Sequence, residues 1–335
     1  MTKAVLINDT RADCHYGCDR VIGTIERQAA ANGMTIIARS PVHSDWRNDP
    51  DVLDAIARAD IVIVNGEGTV HSNRPPARFL VSVADHCRTV GKPAVLINSC
   101  WFDNGPELAE MARAFAMITV RESESERQLK SAGLACRRIA DLALNPTIEV
   151  SAPRSGIGVT DSVLADVALE LDRMRRRVGG VPVTLFHGMT GISGLRFFLR
   201  QYGVRRLLNR PVALAGALRA TATSLAGQAS SVDVLTDLIG RLELLVTGRF
   251  HAAIFALAAM TPLLAVESNT PKISATLKDA GLEPWRVRPT VDFDDRILRR
   301  ATAWTGEEEA NLRDFLSDNR RRQSDLFKDM ATLAA

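Results

Sequence analysis

Three side chains able to handle an anion fall close together in this sequence. Apolar Leu245 and Val246 lead into Thr247-Gly248-Arg249-Phe250-His251, and after a helix-like stretch, Thr261-Pro262 and a second apolar run come Asn269-Thr270-Pro271-Lys272. Arg249, His251 and Lys272 therefore stand at strand-to-helix junctions, where open α/β sheets bind their ligands. Helix N-termini there offer N–H groups and a partial positive charge, and an added Arg and Lys suit the place to a phosphate or a carboxylate. A histidine beside such an anion can move a proton. The plainer reading is that Arg249 and His251 only cap a helix; the grouping of three favours a site.

Short apolar runs alternating with amphipathic stretches must position these groups, the pattern of βαβ units on a parallel sheet. The first half carries strand-like runs at Ala4–Ile7, Met34–Ala38, Ile61–Val64, Ala94–Ile97 and Met117–Val120. Helices are expected over Arg20–Ala31, Val52–Arg58, Ala77–Val90, Pro106–Ala114 and Glu122–Ala132. The strand ends are polar: Asn8-Asp9, Asn65-Gly66-Glu67-Gly68-Thr69, Asn98-Ser99 and Arg121-Glu122-Ser123. In a parallel sheet these C-terminal ends share one edge, so distant residues converge. The two glycines around Glu67 permit close backbone approach and leave Glu67 and Thr69 over that edge; a solvated Glu67 in a tight turn is the plainer alternative. Arg121 opens a helix, where a cation is unfavourable unless an anion lies nearby. Asp141 is a lone carboxylate suited to orienting a neighbour or to binding substrate.

A break near Asn145-Pro146 and Pro153-Arg154-Ser155 precedes a fresh α/β pattern. Strands are expected at Ile157–Thr160, Val181–Phe186, Leu244–Val246 and Leu263–Val266, with helices over Ser162–Arg177, Ser193–Tyr202, His251–Met260 and Lys272–Ala280. Gly203 to Ser231 is poorly periodic. The resulting division is a Rossmann-like domain over 1–150, a second over 151–305, and a terminal helix over 306–335 packing back toward the domain junction. Two Rossmann-like halves facing a cleft is the inferred fold. No GxGxxG follows the first strand, so a dinucleotide site lacks its usual support.

At 335 residues, 46% hydrophobic and 24% charged, the chain reads as a globular protein of two domains. No apolar run approaches the roughly 18 to 20 residues that span a bilayer. The opening MTKAVLIND does not fit a secretory signal, which sets an expectation of the cytoplasm. Five cysteines without a CxxC pair argue for free thiols. Cys14 and Cys18 with His15 and His71 match no zinc spacing, and no metal is expected. The net charge of +3 conceals a basic block: arginines recur from Arg173 to Arg219, and no acidic residue lies between Arg173 and Ser231. Such a block suits a solvated face, an anionic membrane surface or a phosphate-bearing substrate. The aromatic residues within it lack the spacing of a nucleic-acid module, and no nucleic-acid partner is expected.

Four segments in order resemble the polysaccharide pyruvyl transferase family: NGEGT after the third strand, VRESES leading a helix, IADLAL at the first domain's end, and TGRFHAAIFALAAMTPLLAVESNTPKISATLKDAGL. The resemblance runs from Met1 to Leu282 and is sharpest in the last segment. It implies a GT-B-like fold and transfer of pyruvate from phosphoenolpyruvate to two hydroxyls of a sugar, forming a ketal in a cell-surface polysaccharide or its lipid-linked precursor. It places Arg249 and His251 in the signature Arg-x-His, with Arg121 and Lys272 as further anion ligands. The family's glycine-rich loop ending Gly-Asp is replaced here by Asn8 to Asp19, where Gly17-x-Asp19 keeps part of the pattern.

On that resemblance the donor's phosphate and carboxylate fall to Arg249, Lys272 and Arg121, and His251 is the general acid that protonates the methylene carbon. Glu67 or Asp19 would accept the sugar hydroxyl's proton. Asn65, Gly66, Thr69, Asn98, Ser99 and Asn269, at the same junctions, complete the expected substrate contacts. No cofactor is expected beyond phosphoenolpyruvate as donor substrate. The partner is a glycan acceptor, lipid-linked in one version, with peripheral contact at the inner membrane face through the arginines. Two other readings stay open: a GT-B-like glycosyltransferase using a nucleotide sugar, and a non-catalytic module binding anionic glycans.

Overall fold

The computed structural model describes residues 1–145, 153–188 and 229–335. The chain divides into two compact units. The first comprises Met1–Asp13, Cys18–Leu142 and Ser317–Ala335, the second Cys14–Gly17 and Ala143–Leu316.

The first unit alternates strand and helix: β1 (Thr2–Asp9), α1 (Tyr16–Ala31), β2 (Met34–Pro41), α2 (Pro50–Arg58), β3 (Ile61–Asn65), α3 (Pro75–Thr89), β4 (Ala94–Ser99), α4 (Pro106–Ala112), β5 (Met117–Val120), α5 (Ser123–Ser131) and β6 (Arg137–Arg138). The strands form one sheet in the order β2-β1-β3-β4-β5-β6, every pair parallel. All residues of β3 and β4 are buried, as continuous apolar runs covered on both faces require. Val5, Val62, Val64 and Leu96 pack in one core with Ala77 and Val81 of α3 and with Trp101. Local chemistry sets the helix starts: the Asp49 carboxylate accepts from the N–H groups of Asp51 and Val52 at 3.1 and 3.2 Å, with Pro50 at the first helical position.

The second unit holds β7 (Ile157–Ser162), α6 (Ala165–Arg177), β8 (Val181–Pro182), α7 (Val232–Gly240), β9 (Leu244–Gly248), α8 (Phe250–Ala258), β10 (Leu263–Ala265), α9 (Lys272–Asp279) and α10 (Asp295–Ala301). Its sheet runs β10-β9-β7-β8, again parallel. Val159, Leu244, Val246 and Leu264 meet Leu171 and Met174 of α6 in its core. Each sheet reverses its direction of winding once, between β1 and β3 in the first unit and between β7 and β9 in the second. Such switch points open crevices at the strands' C-terminal ends.

Besides β6 and α10, which the sequence pattern did not lead us to expect, two elements differ from the sequence expectation. The strand expected over Val181–Phe186 stops at Pro182; beyond it the chain bonds to residues 14–16, with Tyr16 N–H donating to the Leu185 carbonyl at 2.8 Å and His187 N–H to that of Cys14 at 3.0 Å. Helix α7 was not foreseen, although Ser231 caps it through the Val234 N–H at 3.2 Å and Leu235, Thr236 and Ile239 form its buried stripe. The expected helix Ser193–Tyr202, the aperiodic stretch up to Gln228 and the arginines from Arg196 to Arg219 lie outside the described residues. Within the described part of the basic block, Arg175 and Arg176 both pair with Asp172 at 2.9 Å.

The last helix, α11 (Gly306–Leu333), counts with the second unit through Leu316 and with the first from Ser317. In the first unit Leu326, Phe327 and Met330 are buried, and the Gln323 side-chain amide donates to the carbonyls of Ala140 and Asp141 at 3.3 and 3.1 Å. Among the described residues no helix is long and apolar enough to cross a membrane.

Candidate functional site

In the second unit the switch point is occupied by an ion pair. Asp161 lies in β7, Arg249 follows β9, and the guanidinium forks onto the carboxylate, Nε to Oδ1 at 2.7 Å and Nη2 to Oδ2 at 2.5 Å. This is the bidentate geometry that fixes an arginine in direction as well as charge. Below the pair, the hydroxyls of Thr160 and Thr247 bond to each other at 2.8 Å, and Thr247 Oγ1 accepts from the Arg249 N–H at 2.9 Å. The Phe186 ring lies 4.9 Å from the Arg249 guanidinium carbon. Arg249 is the N-cap residue of α8, which puts His251 in that helix's first turn.

His251 is packed against residues 14–17. Its ring centroid is 5.2 Å from that of His15, which meets Phe186 edge-on at 4.8 Å. Gly17 makes the approach possible: a Cβ there would lie 2.2 Å from His251 Cγ and 2.5 Å from Nδ1. A Gly17→Ala variant is expected to fold and to displace the imidazole, and, if His251 is a reacting group, to lose about 100-fold in turnover, the scale of a 1 Å misplacement. Parallel kcat and Tm measurements check this, and an unchanged kcat would sink it.

Lys272 opens α9, with Nζ 3.1 Å from Asn269 Oδ1 and 5.8 Å from the Phe250 ring centroid. The helix N-terminus itself is occupied. Glu267 takes the N–H groups of Ile273 and Ser274 at 3.2 and 2.9 Å, so the chain's own carboxylate stands where an anion was expected. What Lys272 and Asn269 offer at this helix start is therefore their side chains.

In the first unit the switch point carries a buried polar network. Glu67, 5% exposed, receives the Thr10 hydroxyl at 2.8 Å and the Asn65 amide at 3.3 Å on Oε2, and the Cys18 thiol at 3.3 Å on Oε1. Burial, then the nearby Glu67 charge, pushes the Cys18 thiol far up, keeping it a donor. Asn8, in the left-handed region with φ 68°, donates to the Asn65 carbonyl at 2.6 Å, and Thr69 Oγ1 donates to the Glu67 carbonyl at 2.9 Å. Gly66 lets β3 and β4 close up, since a Cβ there would fall 2.4 Å from Ser99 Oγ. Asn98, also left-handed with φ 53°, accepts the Leu142 N–H at 3.0 Å, and Ser99 Oγ donates to the Cys100 carbonyl at 2.7 Å. Asp19 lies in the first turn of α1.

Arg121 finds its anion inside the protein. Its Nη1 donates to Asp141 Oδ2 at 2.9 Å, the side chains being 2% and 0% exposed. Burial works against the charge and Asp141 outweighs it, holding the guanidinium above its ordinary value. Asp141 is thus the partner of Arg121. Glu122 caps α5 through the Ser125 N–H at 2.9 Å, which accounts for an acidic residue there without a ligand.

Brought together in the second unit are Arg249, His251, Lys272 and Asn269; in the first, Asn65, Gly66, Glu67 and Thr69 follow β3, Asn98 and Ser99 end β4, and Arg121 follows β5. The sequence pattern did not single out Asp161, Phe186 or Glu267, and His15 entered only among residues whose spacing fits no zinc site. Asp161 and Glu267 each follow an apolar run, the positional signal that had singled out Asn65. Among the described residues no group of three or more His, Cys, Asp or Glu could hold a metal ion.

Solved structures share this fold. The UDP-GlcNAc 2-epimerase of Methanocaldococcus jannaschii, in complex with UDP-GlcNAc and UDP, aligns over 93% of this chain and 98% of its own with a TM-score of 0.52 and 10% identity. The UDP-N-acetylglucosamine 2-epimerase of Rickettsia bellii aligns over 98% and 97% with a TM-score of 0.50 and 12% identity. The likeness is one of fold, the GT-B-like class of two parallel-sheet α/β units. No curated protein matches the chain. Residues 31–270, which include β3 with the Glu67 turn, the second unit's switch point and the Arg249-Phe250-His251 turn, match the family described as polysaccharide pyruvyl transferase; the chain belongs to that family of transferases.

Proposed function

We propose that the protein transfers the carboxyvinyl carbons of phosphoenolpyruvate to two hydroxyls of one sugar, forming a pyruvate ketal and releasing inorganic phosphate. A proton is added to the methylene carbon, giving an oxocarbenium-like centre at C2. The first hydroxyl attacks that carbon, phosphate leaves, and the second hydroxyl closes the ketal. One hydroxyl proton replaces the one given to carbon and the other leaves with the phosphate, so the sum balances without a redox partner.

The observation that carries the reading is the second unit's switch point, where Asp161 fixes Arg249 and thereby sets His251 at the start of α8. His251 is the general acid in this reading. Lys272, half-buried and loosely held by Asn269, meets the donor's phosphate. Arg249, its charge already met by Asp161, orients the acid and leaves a switch point without net charge. Glu67 is proposed as acceptor of a sugar proton; an unchanged pH–rate profile in Glu67→Gln would remove that role.

A second reading draws on the fold neighbour solved with UDP-GlcNAc and UDP: a nucleotide sugar as donor. One experiment separates the two. Phosphoenolpyruvate at a hundredfold excess over Kd is expected to stabilise the protein by about 2.7 kcal/mol, seen as a raised Tm, while a panel of UDP sugars leaves it unmoved. Phosphate release from phosphoenolpyruvate is then expected with at least one glycan of an acceptor panel. Stabilisation by UDP sugars alone would establish the second reading, and ligand binding with no phosphate release for any acceptor would make the protein a binding module.

A further inference from the structure

The segment Cys14–Gly17 reaches His251 with a second histidine, which the pyruvyl-transfer reading does not use. His15 is 9% exposed, and its Nδ1 accepts the backbone N–H of Gly17 at 3.0 Å. A ring nitrogen that accepts cannot carry a proton, so this bond writes the neutral tautomer of His15 with hydrogen on Nε2. Protonating the ring fully would break the bond, leave the Gly17 N–H facing a like charge, and place an imidazolium beside His251, whose ring centroid is 5.2 Å away. Two imidazolium cations at that separation repel one another, and each disfavours the charged form of the other.

We propose that His15 is the positioning partner of His251: a neutral imidazole, held so by the Gly17 amide, that leaves His251 as the one member of the pair to take up a proton. This rests on the reading of His251 as the acid of pyruvyl transfer. Proton delivery to carbon needs an acid whose proton is not shared with a neighbour of equal basicity, and the backbone bond supplies that inequality within the second unit. Charged and titratable groups near the pair are consistent with it. Arg249 is neutralised by Asp161, and Lys272 lies toward Phe250. His187 packs on Tyr16, ring centroids 4.8 Å apart, and Cys14 gives its carbonyl to the His187 N–H.

The test is nitrogen-detected NMR of the histidine rings in the intact protein, with single replacements assigning His15 and His251. His15 is expected to stay neutral with hydrogen on Nε2 across the range in which His251 titrates. A His15 that gains a proton together with His251, or that carries its hydrogen on Nδ1, overturns the proposal. Two variants extend the test to function. His15→Asn, whose side-chain carbonyl can still accept from the Gly17 N–H, is expected to leave the His251 midpoint in place. His15→Lys, which plants a charge beside His251, is expected to lower that midpoint by about one unit or more and to move the descending limb of the kcat profile to lower pH by the same amount. A His251 midpoint that does not respond to Lys at this position also overturns the proposal. Because the ring titrations need no substrate, a protein without pyruvyl transfer would refute the functional reading while the pairing of the two histidines is judged separately.

Discussion

Replacing His251 with glutamine is expected to lower kcat by about 10²- to 10⁴-fold while leaving phosphoenolpyruvate binding within a few-fold of wild type. The range is that of a positioned general acid. On the proposed reading binding is spared because Lys272 meets the donor's phosphate, whereas the imidazole is needed only as the methylene carbon receives its proton. Glutamine keeps a polar side chain of similar reach in the first turn of α8, so the Gly17 contact and the Arg249–Asp161 pair survive. Single-turnover phosphate release with saturating donor isolates the step. A variant retaining a tenth or more of wild-type turnover would exclude His251 as the acid.

The largest expected loss of stability lies at Arg286. This arginine is 0% exposed and sits between two rings, its guanidinium carbon 4.7 Å from Trp285 and 4.2 Å from Trp304. Its fork meets Glu308 at 2.5 and 2.7 Å, and its remaining N–H groups reach the carbonyls of Leu263, Ala301 and Ala303 at 3.2, 3.4 and 2.8 Å. Glu308 also closes a capping box with Thr305 at the start of α11. Arg286→Ala leaves a buried carboxylate unpaired and is expected to cost about 3–5 kcal/mol, measured by denaturant unfolding at neutral pH. Acid should reproduce part of this in the wild type. Burial raises the Glu308 carboxyl, but the Arg286 and Thr305 hydrogen bonds outweigh it and hold the group below its ordinary value. A lowered folded-state value means a contribution present above the unfolded value, about pH 4.3, and lost as pH falls through the folded one. A Glu308→Gln protein is therefore expected to lose less stability between neutral and acid pH than the wild type, and equal losses would contradict this.

Much of the scaffold was legible because burial wrote it into composition. Ile61–Val64 and Ala94–Ile97 are unbroken apolar runs since their strands are covered on both faces, and the polar residues after them mark where the cover ends. Gly306–Leu333 was readable as one helix from its apolar stripe. What could not be read was pairing. Arg249 announced an anion site, yet its counter-ion is Asp161, 88 residues earlier, on a strand whose neighbour no local pattern names. Arg121 called for an anion and Asp141 met it from 20 residues away. The run Val181–Phe186 looked like one strand because extended apolar backbone looks alike whether it bonds to a sheet or, as here, to residues 14–16.

Neither unit is a contiguous length of chain, since the first recruits Ser317–Ala335 and the second Cys14–Gly17. The protein is therefore not dissectible by a single cut. A fragment ending near Asn145 would lack Gln323, Leu326 and Phe327, exposing the carbonyls of Ala140 and Asp141 beside the Arg121 pair. A fragment beginning at Arg154 would have no His15 or Gly17 to set against His251. Recombination between relatives inherits the same rule: exchanged pieces must carry both chain ends along with the unit they complete.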